Sequence, residues 1–366
     1  MSHPDRRRQT PQSALAAAER LPMPADLASA AAAAVRSILE EAESANTKRS
    51  YASALRYWHA WHQARFGVSL ALPVPEATVI QFIVDHLAHN DRGHLRIELP
   101  PAIDQVLVAA GMKGKPGPLA LATVVHRVAV LSSLHTLRSS ENPCEAPAVR
   151  HLLSRSRRAC AKRGERPRKK TAITADMLRA MLATCDDSLL GLRDAALLTF
   201  GFATGGRRRS EIASATYENL RRAGDAGYTY FLGHGKTLQA GPSAGSTPDK
   251  PLFGLAADAM AAWLNASKIT QGPLFRSLSN GQLGTRPLST QAVNNIVQSR
   301  ARQAGLEGDF GGHSLRSGFA TEAGLSGVSL QETMQLTDHR SVASVIGYFQ
   351  MGSLVQSKAS NLLKGT

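Results

Sequence analysis

Cysteine, aromatic side chains and long apolar runs are all scarce in this chain. Its 366 residues include only three cysteines, Cys144, Cys160 and Cys185, whose separations fit neither a metal-ligand motif nor a disulfide framework. No apolar run approaches the ~18 residues of a membrane span, and the N-terminal stretch lacks the apolar core of a secretory signal. These absences exclude a disulfide-stapled secreted domain and an integral membrane protein. The odd cysteine count predicts a reducing compartment, and we expect a cytoplasmic location with no membrane partner.

Acidic residues are too few to balance the basic ones. The chain has 28 Asp and Glu against 43 Lys and Arg, which gives a formal net charge of +15 and a pI near 10.2. Such an excess is typical of proteins that bind a polyanion, and nucleic acid is the first candidate. The charge is concentrated in residues 150–170, which hold ten basic residues and one acid, Glu165. We expect this stretch to lie along phosphates, although a solvated charge run stays an alternative.

Composition along the chain predicts four parts. Residues 1–45 form a polar arm with an Ala-rich helix, and residues 46–162 form a compact all-helical unit. Residues 163–173 combine Gly, Pro and cations, which favours an extended linker. Residues 174–366 form a second unit, in which residues 228–232 have the one convincing strand pattern. The predicted fold class is therefore mainly α, with a small antiparallel β-sheet in the second unit.

An aromatic stripe marks the helix that begins near residue 46. Its members recur at helical spacing, with Trp61 beside them: Tyr51, Leu55, Trp58 and His62. Three cations occupy the other faces of this helix: Lys48, Arg49 and Arg56. On these residues alone, the stripe predicts a helix core and the cations a solvated face.

Two short motifs combine an arginine with a residue that can assist it. Arg208 and Glu211 are three residues apart, so on a helix the carboxylate can hold the guanidinium by a charge-assisted hydrogen bond. His313 and Arg316 are also three apart and follow a pair of glycines, which predicts a helix start where free N–H groups favour phosphate. Taken singly, each pair is more often structural than catalytic.

A third motif lies near the end of the sequence. Residues 337–341 predict a turn into a new helix, and Tyr348 follows His339 by nine residues. Tyr348 is also the only tyrosine after residue 230, so the sequence offers few candidates for a tyrosine nucleophile. A lone tyrosine in such a place is otherwise a core residue.

Together these residues resemble the catalytic set of the tyrosine recombinases, also called the phage integrase family. That set runs Arg, Glu or Asp, Lys, His-x-x-Arg, His or Trp, and Tyr. The positions that match it in order are Arg208, Glu211, Lys236, His313, Arg316, His339 and Tyr348. The resemblance extends to the helix from Asn46 through Trp61, which is similar to the DNA-clamping N-terminal helices of that family.

The resemblance implies a C-shaped clamp of two domains on double-stranded DNA. The N-terminal DNA-binding domain is all-helical, and the catalytic domain is helical with the small antiparallel β-sheet. The residues expected to contact DNA are Lys48, Arg49, Arg56, Arg166, Arg168, Lys169 and Lys170. The implied activity is site-specific recombination, with no cofactor and no metal, because a covalent protein–DNA bond keeps the energy of the phosphodiester. The sequence agrees, since it has neither a phosphate-binding P-loop nor a clear metal-ligand cluster.

The resemblance also implies a role for each catalytic residue. Tyr348 attacks the phosphorus to form a 3′-phosphotyrosyl link, and His313 takes the phenolic proton. Lys236 protonates the leaving 5′-oxygen, and His339 donates a hydrogen bond to the phosphate. The remaining residues surround these: Arg208 and Arg316 hold the nonbridging oxygens, and Glu211 orients Arg208 or His313.

Three positions are ambiguous at this stage. Arg207, Arg208 and Arg209 are three candidates for one catalytic arginine, and Arg208 is chosen because it stands three residues before Glu211. Arg207, four residues before Glu211, is the runner-up. Lys250 competes with Lys236, although its place beyond Pro248 disfavours it. Asp338 stands where that family usually has Gly, and it is expected either to lower phosphate affinity or to cap the following helix.

The assembly and the outcome of the reaction stay open. Three leucines after Tyr348 are expected to anchor a tail on a neighbouring protomer in a homo-tetramer at synapsis: Leu354, Leu362 and Leu363. A DNA-relaxing topoisomerase that uses the same residue types, and a non-catalytic DNA-binding protein of the same descent, are the alternatives.

Overall fold

The computed structural model of the chain describes residues 45–165, 169–233, 248–339 and 341–353. Several predictions fall outside these ranges and concern the arm, the tail leucines, Lys236, Arg166 and Arg168. The chain divides into two compact units, residues 1–167 and residues 168–366. The finer division into arm, linker and two domains stays a prediction.

Within its described residues, 45–165, the first unit has five α-helices, one short 3-10 helix (Pro143–Glu145) and one hairpin. The helices are α1 (Ala45–Phe66), α2 (Glu76–His86), α3 (Pro101–Ala109), α4 (Leu121–Leu137) and α5 (Pro147–Lys162). Prolines at 101 and 147 occupy first helical positions, where their missing N–H costs nothing. The hairpin pairs β1 (His89–Asp91) with β2 (His94–Arg96).

That hairpin corrects the prediction of an all-helical unit. Its two-residue turn has positive φ at Arg92 (50°) and Gly93 (90°), the pattern of a tight hairpin turn. The strands have three residues each and are mostly polar, so no apolar alternation reveals them in the sequence.

The aromatic side chains of α1 form the core of the first unit. Trp58 and Trp61 are fully buried, and the Trp58 ring stacks on Phe82 of α2 at a centroid distance of 3.7 Å. The indole N–H of Trp61 donates to Asp85 at 2.9 Å, so its polar atom is satisfied inside the core. The predicted core function of this stripe is therefore present, although Tyr57 rather than Tyr51 is its third buried ring.

The second unit is built from eight helices within the described ranges. They are α6 (Ala175–Leu182), α7 (Leu189–Ala203), α8 (Arg209–Ala213), α9 (Leu255–Ser267), α10 (Thr290–Gln303), α11 (Gly312–Leu325), α12 (Leu330–Thr337) and α13 (Val342–Ser353). Hydroxyl side chains cap several of them, including Thr174 at α6 and Ser329 at α12. The core of this unit includes Phe200, Trp263 and Phe275, each fully buried.

Two small antiparallel sheets complete the second unit. One has the order β3 (Leu220–Arg222), β4 (Gly227–Phe231), β5 (Asp249–Phe253), and the other pairs β6 (Arg276–Ser279) with β7 (Gln282–Pro287). The predicted strand at residues 228–232 is thus β4, shifted by one residue. The mainly helical fold class with small antiparallel sheets is confirmed.

A buried ion-pair cluster joins α7 to α10. Asp194 accepts from Arg193 at 2.7 Å and from Arg300 at 2.8 Å, and all three side chains are buried. The carboxylate therefore neutralises one of two buried cations and ties two helices together. Throughout the described ranges, every helix is too short or too polar to cross a lipid bilayer.

Candidate active site

A glycine pair brings three parts of the second unit into close contact. Gly205 and Gly206 follow α7 with φ values of 92° and 69°. A Cβ atom at Gly206 would lie 2.5 Å from Cα of Arg316, and one at Gly205 would lie 2.2 Å from the carbonyl oxygen of Leu336. Only glycine combines these backbone angles with this space, so the turn, α11 and the end of α12 converge here.

Arg208 is held by Glu211 at the start of α8. The Arg208 guanidinium donates to one oxygen of Glu211 at 2.7 Å, and the Arg208 backbone N–H donates to the other at 3.1 Å. Glu211 is buried, whereas the Arg208 side chain keeps a quarter of its surface exposed. A carboxylate thus fixes the direction of a guanidinium that still reaches solvent. No contact with His313, the other residue that Glu211 was expected to orient, is seen in the described residues.

Arg207, the runner-up, has a different environment. Its side chain is fully buried and donates to Asp338 at 2.7 Å and to the carbonyl oxygen of Leu336 at 2.5 Å. It also lies 3.8 Å from Glu211. The geometry therefore makes Arg207 part of the interior, whereas Arg208 and the exposed Arg209 can both meet a ligand. The choice of Arg208 between these two stays a prediction.

The helix α11 carries the predicted His313 and Arg316. His313 is exposed in the first turn, and Arg316 is 2% exposed. Arg316 donates to the carbonyl oxygen of Gly206 at 3.0 Å and to that of Thr337. Burial and the neighbouring Arg208 and Arg207 lower the pKa of Arg316 to about 9, which leaves it charged at neutral pH.

Tyr348 on α13 lies beside His313. Their ring centroids are 6.0 Å apart with planes at 65°, and Lys169 lies 5.1 Å from the centroid of the Tyr348 ring. Thr321 donates to the Tyr348 carbonyl oxygen at 3.3 Å, which ties this part of α13 to α11. Neighbouring groups that keep water from part of the His313 ring lower its pKa, and the charges of Arg316 and Arg208 lower it further. His313 is therefore a neutral imidazole next to a half-buried phenol.

His339 is also neutral, and its hydrogen bond fixes the place of its proton. Burial and then Arg316 lower the pKa of His339 to about 3. Its Nδ1 lies 2.7 Å from the Thr337 hydroxyl, which itself donates to the carbonyl oxygen of Thr333 at 2.7 Å. With the Thr337 proton assigned to the Thr333 carbonyl oxygen, Nδ1 carries the ring proton and Nε2 is unprotonated.

Asp338 does not cap the following helix, and its expected effect on phosphate affinity stays a prediction. It ends α12 in the left-handed conformation with φ of 55°, while α13 begins only at Val342. Its carboxylate accepts from Arg207 and, at 2.8 Å, from Lys250. Lys250 is fully buried in β5, where burial lowers its pKa. The competing lysine is thus part of a buried cluster, and Lys236 stays the predicted proton donor.

Cations line a cleft of about 400 Å³ next to these residues. Its lining residues are Lys170, Arg208, Arg209, Ser210, Asn294, Gly312 and His313. The lining holds three cations and no carboxylate, and the backbone start of α11 lies at its wall. Such a cleft fits a phosphate group. In the described part of the chain, no three His, Cys, Asp or Glu side chains gather as a metal site.

The cations that are predicted to contact DNA lie in both units. Lys48, Arg49 and Arg56 are exposed on α1. Lys169 and Lys170 lie near Tyr348 and the cleft, and Lys170 pairs with Asp309. Their role toward DNA stays a prediction.

Sequence reasoning missed three contacts of this site, although it had named Lys169 as a DNA contact and Asp338 as an unusual residue. Thr337 sets the His339 tautomer, Lys169 contacts the Tyr348 ring, and Asp338 pairs with two buried cations. The replacement of an expected glycine at 338 by a charged residue was the one signal available. A buried carboxylate needs a cation as its partner. Because the sequence contains many cations, it does not show which of them pair with Asp338.

Comparisons with known proteins agree on one family. Residues 171–352 match the phage integrase family. The chain is 31% identical over 328 residues to an integrase/recombinase xerD homolog from Selenomonas ruminantium, covering 88% of this chain and 86% of that protein. It is 27% identical over 250 residues to recombinase cre from Escherichia phage P1, covering 63% and 71%.

A solved structure has the same fold. A crystal structure of XerH site-specific recombinase bound to a palindromic difH substrate superposes with a TM-score of 0.53 at 16% identity. The match covers 87% of this chain and 80% of that one. At this identity the likeness concerns the fold.

Proposed function

Because this chain belongs to the phage integrase family of tyrosine recombinases, we propose that it cleaves and rejoins duplex DNA at specific sites through a 3′-phosphotyrosyl intermediate. The observation that carries this proposal is the Tyr348 ring beside His313, which lines a cleft rich in cations. A phenol with an ordinary pKa near ~10 is a poor nucleophile at neutral pH. The reaction needs a base for the phenolic proton and positive charge around the phosphate. The neutral imidazole beside the phenol can act as the base, and the fixed cations can stabilise the phosphate.

In the proposed reaction, the Tyr348 oxygen bonds to phosphorus and the bond to the 5′-oxygen breaks. His313 takes the phenolic proton, and Lys236 gives a proton to the leaving 5′-oxygen. Arg208 presents its guanidinium to the phosphate, and Arg316 adds a buried positive charge to the same site. Rejoining reverses these steps with a 5′-hydroxyl from another strand.

His339 needs a second proton before it can donate to the phosphate through Nε2. Its neutral ring uses the Nδ1 proton for Thr337, so Nε2 is an acceptor. A bound phosphate brings negative charge close to the ring, which favours the charged imidazolium. We therefore propose that His339 becomes a donor only when DNA occupies the site.

Cations on both units are proposed to contact the DNA backbone. They are Lys48, Arg49 and Arg56 on α1, and Arg166, Arg168, Lys169 and Lys170 around the boundary between the units. Such contacts contribute affinity without sequence information. A homo-tetramer that assembles on two sites is part of the same proposal.

The contribution of residues 166–170 is measured by the salt dependence of binding. Replacement of Arg166, Arg168, Lys169 and Lys170 by Gln is expected to reduce the slope of log K against log salt by up to roughly 0.9 per lost contact. Replacement of the exposed Arg179, Lys268 and Arg302 serves as the matched control and should change the slope less. A slope equal to that of the unmodified protein would mean that the run is only a solvated surface.

The proposed function is tested by the DNA junctions that form in cells expressing the chain. We expect reciprocal junctions between two DNA segments at one short recurring sequence, because both strands are exchanged. Changes in supercoiling without new junctions would indicate the topoisomerase instead. Neither junctions nor relaxation would indicate a non-catalytic DNA-binding protein.

A further inference from the structure

The end of α12 gathers cations from three parts of the second unit. Each of its last three carbonyl oxygens accepts a hydrogen bond from a different cation: Gln335 from Lys250 at 3.0 Å, Leu336 from Arg207 at 2.5 Å, and Thr337 from Arg316. Carbonyls at a helix C-terminus lack partners within the helix and carry partial negative charge. The three cations satisfy these carbonyls just before the chain reaches His339.

Asp338 joins two of these cations into one cluster. Its two oxygens accept from Lys250 at 2.8 Å and from Arg207 at 2.7 Å, and both cations are fully buried. Among the described residues, Asp338 is the acid that forms an ion pair with Lys250, and without it Arg207 would keep Glu211 at 3.8 Å. Asp338 therefore fixes both the charge and the geometry of the cluster.

The cluster connects the parts of the site that the proposed reaction must align. Arg207 directly precedes Arg208, and Asp338 directly precedes His339. Lys250 belongs to β5, the strand that follows the segment containing Lys236. Two predicted catalytic residues, Arg208 and His339, are thus each next in sequence to a member of the cluster.

We infer that Asp338 is a positioning residue for recombination, which through Arg207 and Lys250 holds the turn that carries His339 against α8 and β5. This inference rests on the proposed function. The plain alternative is a cluster that only stabilises the fold. The two differ in what happens to DNA that is already bound and to the His339 ring.

The test compares two acid-to-amide substitutions of similar burial. Asp338→Asn removes the charge but keeps the size of the side chain. Asn also tolerates the left-handed backbone conformation of this position. Asp194→Asn removes a carboxylate that also lies between two buried arginines in the same unit, away from α12. Both variants should lose stability to a similar degree, so stability alone cannot separate them.

The first readout is the rate of covalent adduct formation in preformed complexes, well below the unfolding temperature of each variant. The substrate is a nicked duplex of the site obtained from cellular junctions. Asp338→Asn is expected to slow adduct formation by about 10- to 100-fold, a size typical of a displaced supporting partner, with DNA affinity nearly unchanged. Asp194→Asn is expected to keep the rate of the unmodified protein.

The second readout is the NMR titration of the His339 ring in the free protein. The charged or titratable groups around it are Arg316, His313, Arg208, Arg207 and, next to it in sequence, Asp338. Loss of the Asp338 charge alone would lower the His339 pKa further below about 3. Release of the turn into water would instead raise it toward ~6.5. We expect the rise in Asp338→Asn and no change in Asp194→Asn.

The inference would be overturned if DNA-bound Asp338→Asn formed the adduct at the wild-type rate, or if the His339 pKa did not rise. The cluster would then only stabilise the fold. If Asp338→Asn does not fold, Lys250→Met replaces it, because the Arg207–Asp338 pair then stays balanced. The same two readouts apply to it, in the same direction. Absence of an adduct in the unmodified protein would refute the proposed function, whereas the His339 titration tests the positioning role independently.

Discussion

Tyr348→Phe is expected to bind duplex DNA with near wild-type affinity and to form no detectable covalent adduct. The substitution removes the attacking oxygen and keeps the ring that lies beside His313 and Lys169. No other described side chain near His313 supplies a phenol. The loss should therefore be complete rather than partial.

The measurement is denaturing electrophoresis of protein trapped on a nicked duplex, followed by peptide mapping of the adduct. Tyr228→Phe is the matched control, because Tyr228 lies on β4 and packs near Arg222 rather than in the cleft. An adduct on Tyr230 would contradict the assignment. Tyr230 is a poor candidate, since it is 3% exposed and burial raises its pKa.

Arg208→Ala and Arg207→Met are expected to fail in different ways. Arg208 reaches solvent beside the cleft, so its loss should slow cleavage by about 10²- to 10³-fold, or about 2.7–4 kcal/mol, as for a lost oxyanion donor. Its removal leaves Glu211 close to Arg207, so the unfolding temperature should change little. A cleavage rate and a thermal unfolding curve for each variant give the comparison.

Arg207→Met should instead lower the free energy of unfolding by about 1–3 kcal/mol, because the Leu336 carbonyl oxygen loses its buried donor while Asp338 stays paired with Lys250. Cleavage by the fraction that stays folded should fall less than in Arg208→Ala. Arg302→Ala, at an exposed position on α10, controls for the loss of one positive charge. The reverse pattern, with Arg207 essential for cleavage and Arg208 dispensable, would exchange the two assignments.

Short-range patterns made much of this site predictable from the sequence. Arg208 and Glu211 meet because they stand three positions apart at a helix start. His313 and Arg316 share the helix that begins at Gly312. The stripe of Trp58 and Trp61 likewise follows from helical spacing.

Long-range pairing was not predictable. Arg207 and Asp338 are 131 residues apart, and Lys250 and Asp338 are 88 apart, so nothing local distinguishes them from surface charges. Most strands were missed because they are short and lack apolar alternation, and because their pairing depends on distant partners, as in β3 and β5. Sequence spacing therefore predicted the residues proposed for the chemistry, and the fold showed the buried ion pairs next to them.

The three tryptophans of the chain give each unit a built-in optical reporter. Trp58 and Trp61 are buried in the first unit, and Trp263 is buried in the second with its N–H bonded to the Leu274 carbonyl oxygen. A dry indole emits at shorter wavelength than a hydrated one, so unfolding of either unit shifts the emission to the red. Replacing Trp58 and Trp61 with Phe leaves a protein whose tryptophan fluorescence comes from the second unit alone.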